Sequence, residues 1–296
     1  MLKGVVERAC ELRTSFPNDL IRRRIGAMGA VPSRRRVYQA LTAALADHEA
    51  SVAGLARIIE NDVAMCAKLL QLLNSAFFGL PRRSLTNVET AVGYLGTSML
   101  RRLVLSVGIF QPFDGAIDVA EATFESLQRH AIQTSRIAAR LLPDRRQAEE
   151  AFMAGMLHNI GKIVMTACFP EQVTEVAAVS HDNGHPVSAI EAELRGVTHA
   201  QIGAYLLGLW GLPTTVVEAV EHHHTPPTSA GQGLDVNAAV YVADHLAHEC
   251  APAAAPGVNL RREPIDAAYL EALGGAQDLS AWRSMARETV ATMEEA

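Results

Sequence analysis

The chain has 296 residues, room for one large core or two lobes. It is 49% hydrophobic and 20% charged, a balance that excludes an intrinsically disordered polypeptide. A net charge of −6 gives no global attraction to nucleic acid, and no apolar run is long enough for a transmembrane helix. The opening Met1-Leu2-Lys3-Gly4-Val5-Val6-Glu7-Arg8 lacks a signal-peptide core, and Cys10, Cys66, Cys168 and Cys250 form no CxxC pair, so reduced thiols and a cytoplasmic location are expected.

Alanine and leucine abound, only 5% of residues are aromatic, and the apolar spacing is helical almost throughout, which predicts an all-α protein. Residues 1–30 read as an N-terminal helical extension. Arg22-Arg23-Arg24, Arg34-Arg35-Arg36 and Arg101-Arg102 have no interleaved aromatics, so they read as a solvated face and not a nucleic-acid surface. A leucine-rich helix ends at Asn74-Ser75, which would cap it and join the turn Phe77-Phe78-Gly79-Leu80-Pro81. Thr86-x-x-Glu89 reads as a capping box, and Gly96 as a helix stop. A change of character at Phe110-Gln111-Pro112 sets a lobe boundary, giving lobes over 31–111 and 112–250. Thr198-x-x-Gln201 and Thr215-x-x-Glu218 are two further capping boxes. Gly211 with Leu212-Pro213 separates their helices, and Pro226-Pro227 ends the second. Ala251 to Gly257 reads as a linker opening a 251–296 segment with a C-terminal helical tail.

Histidines and one aspartate recur along the second half. On a helix over about 120–142, Leu127, Ala131, Thr134, Ala138 and Leu141 form a stripe with His130 at its edge. On a helix over about 148–166, Ala151, Gly155, His158 and Lys162 share a face whose small residues admit a partner helix. His199 opens its helix on the side of Ile202, Gly203 and Leu206. After the third capping box, the phase set by Val216, Val217 and Val220 turns His223 and His224 inward and His222, with Glu218, outward. Asp244 flanks Val240 and Ala243 on a helix opened by Asp235. A single histidine on an apolar face is usually a hydrogen-bonded core residue. A buried group of them asks for a shared partner, which a metal, a water network or a phosphate could provide, because each unpaired polar group costs about 1–3 kcal/mol. His181, His185, His245 and His248 have weaker claims.

In this order His130, His158-Asn159-Ile160-Gly161-Lys162 and Asp244 resemble the HD phosphohydrolase pattern of His, His-Asp and Asp. The closer resemblance is to the HDOD family of bacterial signalling output domains. It is carried by Ile58-Ile59-Glu60-Asn61-Asp62, the run Lys68 to Gly79, Val88 to Gly96, Leu103-Val104-Leu105-Ser106, Ala151 to His158, Trp210-Gly211-Leu212-Pro213 and His223-His224-Thr225-Pro226, roughly residues 31–227. The resemblance implies an all-α fold with an HDOD-specific N-terminal lobe and an HD-like bundle. It also implies a regulatory role in two-component or cyclic-dinucleotide circuits, in a family mostly regarded as lacking hydrolase activity. His199, His223 and His224 resemble the added ligands of HD-GYP phosphodiesterases.

The candidate metal set is therefore His130, His158, Asn159, His199, His223, His224 and Asp244, for one or two divalent ions among Fe, Mn, Ni and Zn. Asn159 stands where the enzymes carry Asp, and a neutral amide binds one ion weakly and bridges two poorly. Lys162 is expected either to meet a bound phosphate or to form a salt bridge at a helix end. Three functions follow: a non-catalytic signalling module acting on a protein partner, a metal-dependent phosphohydrolase of weak activity, and a metal- or nucleotide-sensing protein, with a nucleotide or cyclic dinucleotide as ligand. The enzyme question is open and leans towards no. No membrane association is expected.

Overall fold

A computed structural model describes residues 19–21, 23, 31, 33–47, 49–74, 86–107, 110, 118–227, 233–250, 265–274 and 278–294. Its regular structure is helical, with no β-strand among the described residues, as the apolar periodicity requires. No single helix there is long and apolar enough to cross a membrane. The turn Phe77 to Pro81, Gln111-Pro112, the linker Ala251 to Gly257, most of 1–30 and Cys10 lie outside the described residues. The chain forms two compact units, one of residues 1–128 with 205–213, the other of 129–204 with 214–296.

The first unit contains α1 (Arg35–Ala46), α2 (Val52–Ile59), α3 (Val63–Asn74) and α4 (Val88–Arg102), which runs into a π-turn at Leu103–Val107. α2 packs against α1 and α4, and α4 also meets α3. Ser51 caps α2 by accepting from the Gly54 amide at 3.0 Å. α3 is apolar on nearly every side, so Leu69, Leu70 and Leu73 are all buried. Asp62 opens α3 from full burial. Its Oδ1 accepts from the Met65 amide at 2.9 Å and its Oδ2 from the Arg34 amide at 2.6 Å. Burial nevertheless outweighs those hydrogen bonds and raises its pKa to about 6. The expected capping box is displaced by one residue: Asn87, not Thr86, accepts from the Thr90 amide at 2.8 Å. Gly96 breaks the helix, as expected of a stop, but a second helical run follows directly. The glycine takes a left-handed φ of 72° and kinks α4 there.

The second unit holds the histidines. Its elements are α5 (Asp118–Leu141, from residue 129), α6 (Arg145–Leu157), α7 (Ile160–Cys168), α8 (Pro170–Asn183), α9 (Val187–Arg195), α10 (His199–Leu209, to residue 204), α11 (Thr214–Glu221), α12 (Val236–Cys250), α13 (Ala267–Ala272) and α14 (Leu279–Glu294). α12 is buried along most of its length and packs against α6, α11 and α14. The tail is part of this core. Ala286 and Val290 of α14 are buried, and Arg140 donates to Thr289 and Glu288, each at 2.8 Å.

The expected helix over about 148–166 is interrupted. α6 ends at Leu157, His158 and Asn159 form the turn, and α7 restarts at Ile160. Small residues on both sides let neighbouring backbones approach. A Cβ on Gly155 would lie 2.8 Å from the Ser135 Cα, and one on Gly161 would lie 2.8 Å from the His199 carbonyl carbon. The Thr198–Gln201 capping box forms reciprocally, the Thr198 amide donating to Gln201 Oε1 at 3.0 Å and the Gln201 amide to Thr198 Oγ1 at 3.3 Å. α11 begins at Thr214 and stops at Glu221, so the Thr215 box lies inside the helix and the histidines lie past its end. Asp235 caps α12 by accepting from the Ala238 amide at 2.8 Å.

Candidate metal centre

Helix termini carrying His158, His199, His223 and His224 and helix interiors carrying His130 and Asp244 bring these residues together in the second unit, in two groups: His130, His158 and Asp244, and His199, His223 and His224. A ring contact joins the groups, since the His158 and His223 centroids are 5.0 Å apart, and within the second group those of His223 and His224 are 4.0 Å apart. His158, His199 and His223 are at most 1% exposed, so each ring nitrogen must be satisfied within the protein or by something it binds.

The hydrogen bonds fix which nitrogen of each ring carries the proton. His158 Nδ1 donates to the Gly155 carbonyl at 2.6 Å and His223 Nδ1 to the Val220 carbonyl at 2.7 Å, because a carbonyl can only accept. His199 Nδ1 donates to Glu191 Oε2 at 2.6 Å. With the proton on Nδ1, each of these three rings turns its Nε2 towards the shared space. Burial, the largest cause, lowers the pKa of His199, and of His223 and His224 well below the usual histidine range, so these rings hold no competing proton at neutral pH. His158 and His223 take their anchors from the carbonyl three residues earlier, which is why they sit where helices end and carbonyls are left over.

Those lone pairs meet few donors. His223 Nε2 and Asn159 Oδ1 are buried without a hydrogen-bond partner among the described residues. His158 Nε2 accepts from Asn159 Nδ2 at 2.7 Å and lies 3.3 Å from Asp244 Oδ1, an acceptor facing an acceptor. His224 Nε2 lies 3.0 Å from His199 Nε2. Asp244 Oδ1 is also 2.6 Å from His130 Nε2. Burial raises the Asp244 pKa, but the hydrogen bond from His130, with His248 close by, more than offsets this and holds it well below the usual carboxylate range. Three fixed imidazole Nε2 atoms, that of His223 without a partner, the unsatisfied Asn159 Oδ1 and one ionised carboxylate match the donor set of a borderline divalent cation. The residues fit a metal.

The inward turn of His223 and the partial burial of His224 agree with the helical phase, although both residues lie in the turn after α11, and His222 is half-buried, not fully outside. Lys162 stands in the first turn of α7. Burial lowers its pKa, while Glu191 and Asp244 pull it back up, and it makes no ion pair with either among the described contacts. Two residues with weak or no sequence claim join the site. Glu191, on α9, is 3% exposed and anchors His199. His248 stacks on His130 with centroids 4.0 Å apart and places Nε2 3.6 Å from Asp244 Oδ1. The signal for His248 was its i+4 spacing from Asp244 on one helix. Glu191 had none, being on a different helix from the ring it holds.

A family profile for the HDOD domain matches residues 31–226. A protein of Treponema pallidum (strain Nichols) is 28% identical over 228 residues, 75% of this chain, and the chain spans 43% of the length of that relative. Among solved structures, the MmoQ response regulator of Methylococcus capsulatus aligns with TM-score 0.63 and 20% identity, over 86% of this chain and 98% of that one. A Campylobacter jejuni virulence factor aligns with TM-score 0.66 and 18% identity, over 92% and 97%. At these identities the likeness is one of fold.

Proposed function

The chain belongs to the HDOD family, and from that premise we propose that it is a regulatory module which contacts a signalling partner and retains its histidine pocket to bind a divalent metal, with little or no turnover. The observation that carries this reading is the Asn159 side chain. It sits 3% exposed beside His158 and spends its Nδ2 on His158 Nε2, where HD hydrolases have a carboxylate. A bound ion would be held by His130, His158 and Asp244, or by His199, His223 and His224. It would supply Lewis acidity and acidify water. An amide at 159 contributes neither the anionic charge nor the bridging geometry that efficient hydrolysis by such a pocket needs. The buried rings would exclude bulk water and keep the metal-binding nitrogens unprotonated, and Lys162 would offer the nearest ammonium to a phosphate.

A second reading, a weak metal-dependent phosphohydrolase acting on a cyclic dinucleotide or nucleotide, is favoured by the ring contact between His158 and His223, which makes the two ligand groups neighbours. Elemental analysis of tag-free protein, with assays of cyclic dinucleotides, nucleoside phosphates and a generic phosphodiester in manganese, iron and nickel, separates the two. Bound metal with turnover absent or well below about 1 s⁻¹ fits the regulatory module. Metal-dependent turnover at or above that rate replaces it with the enzyme.

A further inference from the structure

We propose that Glu191 is the positioning residue of the His199–His223–His224 group, supplying through the His199 ring the negative charge that this all-imidazole group lacks; the proposal rests on the metal-binding reading above. Glu191 projects from α9, and its Oε2 accepts both the His199 amide at 2.8 Å and His199 Nδ1 at 2.6 Å. One oxygen thus fixes the start of α10 and the rotation of the ring, directing Nε2 towards His224, whose Nε2 is 3.0 Å away. The other oxygen, Oε1, lies 3.9 Å from Arg195 Nη1, and Arg195 is itself held by a hydrogen bond to the Gln172 carbonyl.

The neighbouring rings show that a carboxylate is not needed merely to hold a histidine. His158 and His223 are anchored at the same nitrogen by the Gly155 and Val220 carbonyls, at similar distances. Burying a carboxylate costs far more than using a carbonyl already present, and Glu191 is 3% exposed. What a carboxylate adds is charge. It makes the opposite nitrogen of the ring a stronger donor and offsets the charge of a cation bound there. The group containing Asp244 has its own anion in direct reach of the rings. The group containing His199 has three neutral ring ligands, and Glu191 is the carboxylate hydrogen-bonded to one of them.

Cobalt(II) titration of the full-length, tag-free chain, followed by its visible absorption, is compared for wild type, Glu191→Gln, Glu191→Ala and the control His222→Ala. Long-range ¹H–¹⁵N spectra of the histidine side chains are recorded on the metal-free proteins. A glutamine oxygen can still accept both His199 hydrogens, so Glu191→Gln isolates the charge. The expected result is about tenfold weaker cobalt binding in Glu191→Gln with the His199 proton still on Nδ1. Glu191→Ala should approach about 100-fold and lose the fixed tautomer, while His222→Ala follows wild type. A folded Glu191→Gln with the wild-type isotherm overturns the proposal, as does a folded Glu191→Ala whose His199 keeps its proton on Nδ1. Should wild type bind no cobalt, the metal-binding reading fails and the charge role of Glu191 falls with it. The ¹⁵N spectra then still report separately on whether Glu191 fixes the His199 tautomer.

Discussion

Gly161→Ala should be among the most damaging single substitutions in the second unit, although it adds one methyl group to a helix. The new Cβ would overlap the His199 carbonyl oxygen and lie 2.8 Å from the carbonyl carbon and 3.0 Å from the Gly203 nitrogen. These are backbone atoms on α10, so no side chain can swing away, and the two helices must separate by on the order of 1 Å. Overpacking relieved by side-chain movement typically costs about 1–3 kcal/mol, and backbone displacement here should reach or exceed about 3 kcal/mol. Alanine recovers only about 1 kcal/mol of helix propensity. Gly203, across the same crossing, is the comparison. A Cβ there meets Ile160 Cγ2 at 3.1 Å, Val220 Cγ1 at 3.2 Å and the Gly161 nitrogen at 3.3 Å, contacts relieved by small adjustments. Gly203→Ala should therefore stay within about 1 kcal/mol of wild type. Urea denaturation followed by circular dichroism, with midpoint and slope fitted separately, gives both values. A Gly161→Ala protein no less stable than Gly203→Ala would refute the close approach of α7 to α10.

Three further outcomes follow from the same geometry. His223→Ala, which strands the Val220 carbonyl in the core, should cost about 1–3 kcal/mol, against less than about 0.5 kcal/mol for half-buried His222→Ala. Equal losses in denaturant would contradict the placement of the two rings. Asn159→Asp should lower the metal-free melting temperature by burying a second carboxylate near Asp244, and should enlarge the shift produced by manganese. A smaller manganese shift than in wild type would show that residue 159 lies away from the ion. Asp62 binds its proton more tightly folded than unfolded, with a pKa of about 6 against an ordinary 3.8. Its contribution is full below about pH 4, falls by about 3 kcal/mol as pH rises to about 6, and is flat above that. Carboxyl ¹³C shifts should place its midpoint near 6, and a midpoint near 4 would mean that the group is solvated.

The all-helical character was legible because it depends on apolar spacing, which α3, α5 and α12 display over many residues. The side on which His223 falls was legible for the same reason, although α11 stops before reaching it. What could not be read was anything set by the partner of a residue. Asn87 displaces Thr86 as a cap because the chain enters α4 one residue later than the motif suggests. The break at His158-Asn159 carries no glycine or proline; it is where His158 takes the leftover Gly155 carbonyl. Glu191 is the clearest case. An acidic residue in a nine-residue helix looks like surface until α9 is docked against the start of α10, and only the fold supplies that contact.

The most direct test of the metal-ready pocket is the protonation pattern of its histidines, read from long-range ¹H–¹⁵N spectra of tag-free protein at neutral pH, before and after zinc is added. His158, His199 and His223 should each carry a proton on Nδ1, and zinc should shift their Nε2 resonances while leaving Nδ1 protonated. Protons on Nε2 in these rings, or spectra that zinc leaves unchanged, would contradict the pocket and leave the histidines as ordinary members of a polar core.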